Sequence, residues 1–532
     1  MCGIAIAQPK LLKDIYLGKP AGLYTLLNTV EKSGTLYFAA MDTAMNVEVW
    51  TTDGTTANTT LLKDLQTGGS SSPGNFYVFN GNVYFSAMTT ANGTELFKSD
   101  GTAAGTAMLK DIWTGTTSSY PKEFTEMNGS LYFMAENPDS GGYHHVLYKS
   151  DGTATGTAIV TNKAWNLGGS DLFKFNSKLY INAKSSPLNT GLELWECDGT
   201  DAGTSLILDL VIGPGSSNPE YLTKLGTNKF VFSASTLATG YELYISDGTT
   251  AGTMLLKDIN PGAANSYPFG FRELNGKLYF FAADGTNGRE LWVTDGTPTG
   301  TNMVANIDGG AGNGNTDGTI CVLNNKLYFV GRTGPNGAEL WVSDGTAANT
   351  VLFKDINTGT ADGITSLYAD NVIGNKLYFA ANNGTNGYEA WETDGTIANT
   401  KMIYDIKAGI GDGVQSTEYK FVRVNNKILF VADNDTTGNE IWTIDAPVSV
   451  NYTSAQSLNA TIYPNPSTGL FTISSDIRDL SYRIYNSLGQ MVENEAISKN
   501  QIALYNQPAG IYTVELIGTE GARQYQKIQL TK

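Results

Sequence analysis

Cysteine is nearly missing from this chain: three residues in 532, at Cys2, Cys197 and Cys321. Cys2 lies in a stretch expected to be removed and the other two stand far apart, so no disulfide framework is indicated. Histidine is scarcer still. The two that exist, His144 and His145, are adjacent, so neither a Ser-His-Asp set nor a histidine metal cluster can be assembled. There is no G-x-S-x-G string and no phosphate loop. No run of 18 apolar residues exists, so no transmembrane helix is expected. Charged residues make up only 16%, and the net charge of −17 is spread along the chain. Such a chain repels the phosphate backbone, which excludes nucleic acid as a partner. Two stretches, 313–318 (NGNTDG) and 433–438 (DNDTTG), look like half of a calcium loop. Neither has an acidic residue at the twelfth position, where the bidentate ligand belongs. No metal and no cofactor is expected.

What the chain has is glycine (60), tyrosine (28) and phenylalanine (21), the profile of short strands joined by tight turns. Residues 290–297 read ELWVTDGT, and kindred strings recur nine times, their aspartates running from Asp53 to Asp445 about 49 residues apart. A strand-rich period of that length predicts an array of four-stranded blades. In one unit, strand A is 268–274, then an Asn275-Gly276 hairpin turn, strand B 277–283, strand C 289–294 and strand D from 302. Strand B is nearly all apolar (KLYFFAA), as a strand buried on both faces would be.

The ends of the array favour closure. The ninth unit stops at Asp445 without a D strand, while residues 9–15 (PKLLKDI) read as a D strand lacking A, B and C. Joined, the two make one blade and remove an exposed sheet edge. The expected fold is all-β: a closed β-propeller of about nine four-stranded blades over 9–445, its N-terminal strand completing the last blade. A linker (446–460) and a small C-terminal immunoglobulin-like β-sandwich (461–532) follow.

The recurrent residues read as scaffold. The aromatic of the motif (Trp50, Trp195, Trp292, Trp341, Trp391 and Trp442, or Phe97, Tyr148, Tyr244) suits packing between blades. The Asp-Gly-Thr string suits a tight turn, and the motif glutamate suits bonding to neighbouring strands. Function is expected on the variable D–A links and B–C loops, which share one face. Candidate ligand-binding residues there are Trp113, Tyr120, His144, His145, Trp165, Arg289 and Arg332. A pair of catalytic carboxylates stays open, because the many acids single out no pair.

The first residues, 1–8 (MCGIAIAQ), read as the tail of an export signal, with Ala5-Ile6-Ala7 as a small-x-small cleavage site. Within 461–532, YPNPSTG (463–469), IYNSLGQMV (484–492), PAGIYTVEL (508–516) and the final KIQLTK resemble the type IX secretion C-terminal sorting domain of Bacteroidota. Its motif positions fall on Pro464, Asn465, Pro466, Gly469, Gly489, Gly510, Lys527 and Lys532. The resemblance implies export across the outer membrane by the type IX machinery, with release or surface attachment. The first 445 residues are similar to the ELWxxDGT-repeat proteins, a family that brings no catalytic residues with it. The third unit departs from the pattern, with Val146 in place of the glutamate and a D strand reading AIVTNKAW.

The expected function is therefore a secreted or cell-surface, non-catalytic, monomeric propeller that binds extracellular glycan or protein. A polysaccharide-active enzyme on the same scaffold, or a purely structural surface protein, is the alternative.

Overall fold

The computed structural model describes residues 8–23, 25–138, 144–166, 172–185, 188, 190–417, 419–446, 460–475, 481–486, 491–496, 501–517 and 523–531. Of the expected export-signal tail, residues 1–7 lie outside these, as do Gly489 and Lys532. The chain divides into two compact units, Met1–Pro447 and Val448–Lys532.

Every repeat becomes four antiparallel strands, here lettered A to D, which form a separate sheet in every unit but the third and fourth. In the sixth sheet these are Phe269–Leu274, Lys277–Ala283, Arg289–Thr294 and Asn302–Ala305, hydrogen-bonded in chain order. Asn275 and Gly276 both take positive φ (54° and 76°), which a two-residue hairpin of matching twist requires. Strand B is buried on both faces from Leu278 to Ala282, because a further sheet lies against each side. Burying its side chains contributes roughly 1.5–3 kcal/mol apiece.

Two contacts recur between successive sheets. The strand B tyrosine reaches the Asp-Gly-Thr glycine of the next sheet: Tyr37 with Gly101, Tyr84 with Gly152, Tyr132 with Gly199, Tyr180 with Gly248, Tyr279 with Gly345. The strand D lysine donates to a backbone carbonyl in the next sheet's turn. Lys63 reaches Thr106 (2.6 Å), Lys110 reaches Thr157 (2.6 Å), and Lys354 reaches Thr400. The ninth sheet contains Val422–Val424, Lys427–Ala432, Glu440–Asp445 and, as its fourth strand, Lys10–Lys13. Lys13 donates to the Thr59 carbonyl of the first sheet at 3.0 Å. Asn425 donates to the carbonyls of Gly34 and Asp53 at 2.9 and 3.0 Å. Leu12, Ile15, Leu429 and Ile441 share one apolar core with Leu36 and Phe38. The ninth sheet thus meets the first as other sheets meet their successors.

The turn after strand C is built by side chains. In the sixth sheet the Asp295 Oδ1 accepts from the Thr297 backbone N–H (2.9 Å) and hydroxyl (2.7 Å), while Thr294 Oγ1 accepts from Gly296 N–H (3.0 Å). The Thr297 hydroxyl bond comes first among the causes that hold the Asp295 carboxyl below the usual range. Cys197 occupies the Thr294 position in the fourth sheet; its Sγ accepts from Gly199 N–H at 3.3 Å. The motif aromatics are buried, from Trp195 (2%) to Trp50 and Trp442 (8%), with Trp341 partly so.

The third unit is irregular, as its sequence suggested. Its last strand, Ala158–Asn166, is nine residues long. It pairs with His145–Ser150 and then, at Trp165, with Lys184 of the fourth sheet, so the third and fourth sheets are joined.

In the second unit, strands Ala460–Tyr463, Leu470–Ser475 and Gln501–Ala503 form one sheet. Met491–Ala496, Ser481–Tyr485, Gly510–Ile517 and Arg523–Leu530 form another. They close over one core that includes Ile462, Phe471, Ile484, Val514 and Ile528. Two of the sequence motifs meet here. Asn465 donates to the Lys527 carbonyl (2.8 Å) and accepts from Gln529 N–H (2.7 Å), fastening the Asn-Pro loop to the last strand. Gly510 stands opposite Leu530, and Gly469 lies against the Tyr505 ring. Pro464 and Pro466 flank Asn465 in that loop.

Candidate functional site

The links between sheets rest on the motif glutamate. Glu242 is fully buried and its carboxylate accepts from Ile259 N–H (2.6 Å), Ser266 N–H (3.0 Å) and the Ser266 hydroxyl (2.6 Å). The link after strand D is thereby folded back onto the start of strand C. Ser266 N–H and Tyr267 N–H both donate to the Tyr241 carbonyl, at 2.9 and 3.3 Å. The same paired bonds run from Ser71 and Ser72 to Val47, from Ser119 and Tyr120 to Thr94, and from Ser217 and Asn218 to Leu192. The backbone is constant, and the side chains it displays differ from sheet to sheet.

Between the fifth and sixth sheets this display makes a cleft of about 350 Å³ lined by Glu220, Tyr221, Ser233, Tyr241, Tyr267, Phe269 and Arg289. Glu220, Tyr221 and Phe269 open A strands, Tyr241 and Arg289 open C strands, Tyr267 lies near the end of the link between the sheets, and Ser233 lies past the middle of strand B. Tyr241 and Tyr267 are stacked, with centroids 5.2 Å apart and planes 25° from parallel. Tyr221 lies 6.1 Å from Phe269, and the Arg289 guanidinium sits 4.9 Å over the Phe269 ring. Tyr221 and Tyr267 are 54% and 50% exposed, so large apolar faces meet solvent.

Two of these tyrosines hold left-handed backbone, Tyr221 at φ 56° and Tyr267 at φ 47°. A non-glycine residue there costs on the order of 1 kcal/mol. At the place of Tyr221, where strand A shifts register, the sixth sheet has Gly270. Asn75 in the second sheet and Glu123 in the third hold the same left-handed place, so the bulge is common to the sheets and the ring is what Tyr221 adds to it.

Burial raises the Glu220 carboxyl and the hydroxyls of Tyr221 and Tyr241 above their ordinary ranges. For Tyr221 the neighbouring Glu220 adds to the rise and Arg289 opposes it. The arrangement offers flat rings, one cation and one acceptor carboxyl, which suits holding a small polar ligand.

The other candidates are dispersed. Tyr120 is 52% exposed in the link before the third sheet. Trp113 lies earlier in that link and gives its backbone N–H to Glu95. His145 is buried, with Nδ1 3.8 Å from Glu136. Burial lowers its pKa to about 4, so the ring is neutral at neutral pH. Burial also lowers the pKa of His144, with a further push from Lys184. Arg332 is paired with Asp362, which in turn accepts from Ala338 N–H. The Trp165 side chain lies outside the described residues. Arg289 alone of the seven is in the aromatic cleft; sequence reasoning missed Tyr221, Tyr241, Tyr267 and Phe269. One signal was present: Ser-Tyr-Pro occurs at 119–121 and again at 266–268.

No curated protein matches the chain. Among solved structures it is similar to PorZ, a surface component of the type IX secretion system of Porphyromonas gingivalis. That match has 12% identity, 96% of this chain, 75% of that one and a TM-score of 0.33. It is also similar to the extracellular domain of a putative hybrid two-component system of B. thetaiotaomicron (10%, 97% and 77%, TM-score 0.30). A third likeness is to a puromycin-hydrolyzing peptidase of Mycobacterium tuberculosis (9%, 73% and 60%, TM-score 0.36). At such scores no activity passes from them to this chain. No described helix is long and apolar enough to cross a membrane. Residues 461–530 match the secretion system C-terminal sorting domain, which implies contact with the type IX machinery. The protein is accordingly a type IX export product, secreted or attached at the outer-membrane surface.

Proposed function

We propose that residues 9–445 form a closed propeller of nine four-stranded blades of the ELWxxDGT type. A linker at 446–460 and the sorting domain at 461–532 follow. The Lys13–Thr59 and Asn425–Asp53 bonds, which tie the ninth sheet to the first, support closure. The propeller is a monomeric, non-catalytic binding module that takes extracellular glycan or protein. The single observation that carries this reading is the cleft of exposed, stacked tyrosines between the fifth and sixth sheets. Tyrosine bodies supply rigid contact area and their hydroxyls supply hydrogen bonds.

A polysaccharide-active enzyme is the second reading, favoured by the raised Glu220 carboxyl, since a general acid needs such a shift. Glycoside hydrolysis ordinarily needs a second carboxyl across the bond, and Glu220 is the one acid among the residues lining the cleft.

Binding of the secreted protein to a panel of polysaccharides and matrix proteins, with reducing-end release read in the same wells, separates the two. Saturable binding without product, lost in Tyr267→Asn, supports a binding module. Product formation that depends on Glu220 overturns it.

A further inference from the structure

Resting on the reading of this cleft as a ligand site, we propose that its ligand is an otherwise neutral glycan carrying one carboxylated sugar. The carboxylate lies against Arg289 and a neighbouring sugar ring lies on the tyrosines.

The charge at Arg289 carries the argument. Its guanidinium covers the Phe269 ring at 4.9 Å, and among the described residues it has no carboxylate within ion-pairing distance. Arg332 and Arg483, by contrast, have Asp362 and Glu515. The Nε of Arg289 is shut off from solvent and has no hydrogen-bond partner among the described residues. A half-buried cation that has lost part of its hydration without gaining a counter-charge is destabilised, and an anion at its open edge offsets that cost. The planar fork fits a carboxylate better than any neutral sugar group.

The rest of the cleft selects a sugar. Tyr241 and Tyr267 are held in place by their backbone bonds and by Asn265, which donates to the Tyr267 hydroxyl at 3.0 Å. They present flat faces to the C–H side of a pyranose without first losing much side-chain freedom. In its ionised form Glu220 accepts from sugar hydroxyls and repels a second carboxylate. A volume of about 350 Å³ lies at the small end of ligand pockets, enough for a short saccharide stretch.

Net charge limits the number of acids in the ligand. Arg289 is the one cation among the residues lining the cleft, in a chain of net charge −17, so a polyanion gains one pairing and meets repulsion along the rest of its length. A single carboxylate collects the attraction alone.

The test is calorimetric binding of the full chain to sialyllactose and to a glucuronic-acid-substituted xylotetraose. Each is compared with its carboxyl methyl ester, with lactose and plain xylotetraose, and with polygalacturonate. Arg289→Ala and Tyr267→Asn are suitable variants, because Ala338 and Asn218 occupy the equivalent places in other sheets. The expected result is tightest binding of an acidic probe, weaker by about ten- to a hundredfold for its ester. Arg289→Ala should abolish the acid-over-ester preference and Arg289→Lys restore part of it, while Tyr267→Asn weakens acid and ester alike. Which probe binds tells a sialic from a uronic acid. Equal, Tyr267-dependent binding of acid, ester and neutral saccharide overturns the acidic-sugar assignment and leaves the cleft as a ligand site. Tightest binding of polygalacturonate overturns the single-acid assignment. Saturation by a matrix protein with no saccharide bound overturns the glycan assignment.

Discussion

The hydroxyl of Tyr279 in the sixth sheet lies against Gly345 in the seventh so closely that a Cβ at 345 would stand 2.1 Å from it. Tyrosine in strand B and glycine in the Asp-Gly-Thr turn are therefore two halves of one contact. Gly345 also has φ 92°. Gly345→Ala is expected to destabilise the first unit by roughly 2–4 kcal/mol, through collision and backbone strain together. In a double-mutant cycle, Tyr279→Phe should recover part of that loss, leaving the strain. Additive effects in chemical denaturation would argue against the shared contact.

The buried motif glutamates give a pH dependence. Burial, their largest cause, raises Glu95, Glu242, Glu290, Glu339, Glu389 and Glu440 from an ordinary 4.5 to about 7, against the pull of the bonds they accept. The folded state therefore holds protons that the unfolded chain has released. Their contribution is complete below pH 4.5 and is lost as pH rises through 7. The turn aspartates act oppositely: their carboxyls are lowered, so their contribution disappears as pH falls below 3.8. Thermal unfolding is expected to give a higher Tm at pH 5 than at pH 8, with a smaller difference in Glu242→Gln. A Tm that climbs from pH 5 to 8 would contradict the assignment.

Leu12, on the N-terminal strand, is 3% exposed in the core shared by the ninth and first sheets, whereas Leu61, in the first sheet, is 39% exposed. Leu12→Ala should cost about 2–5 kcal/mol and Leu61→Ala well under 1. Urea midpoints of the two variants check this. A neutral Leu12→Ala would mean the N-terminal strand is not seated.

Cys197 occupies a place held by serine or threonine in other sheets, and its Sγ accepts from Gly199 N–H and from the Thr204 hydroxyl, 3.1 Å away. Oxygen is the stronger acceptor, so Cys197→Ser should be neutral or stabilising by up to about 1 kcal/mol. Cys321 is fully buried in an apolar core beside the Tyr368 carbonyl, where a serine hydroxyl is costlier to desolvate, so Cys321→Ser should be the worse tolerated of the pair. Differential scanning of both variants decides.

Asn465→Ala removes both bonds that fasten the sorting-domain loop to Lys527 and Gln529. The second unit is expected to lose about 1–3 kcal/mol, and the secreted fraction of the full chain should fall with it. Unchanged stability would separate the Asn-Pro motif's role from folding.

Strands B and C of the sixth sheet were legible to the residue, since Asn-Gly and Asp-Gly-Thr bracket apolar runs that have no other strand to join. The end of strand D was not legible. The strand ends at Ala305 because Ile307 N–H turns to the Glu290 carboxylate instead of a neighbouring strand, a long-range choice that no local pattern announces. At the cleft, Arg289 stood out as a charge where the loops vary. The four aromatics did not, because they come from two successive repeats and share no stretch of sequence. Only stacking the sheets brings Tyr221 to Phe269.

The bond from Ile15 N–H to the Glu440 carboxylate spans 425 residues. During synthesis or passage through a pore, the strand Lys10–Lys13 waits without its partner until the last repeat arrives. With the ring closed as proposed, the arrangement would act as a length gauge. A product cut short before Glu440 keeps an open edge and should remain protease-sensitive at its first sheet, while the full-length chain becomes resistant in one step. Limited proteolysis of truncations ending at 395 and 446 would read that gauge directly.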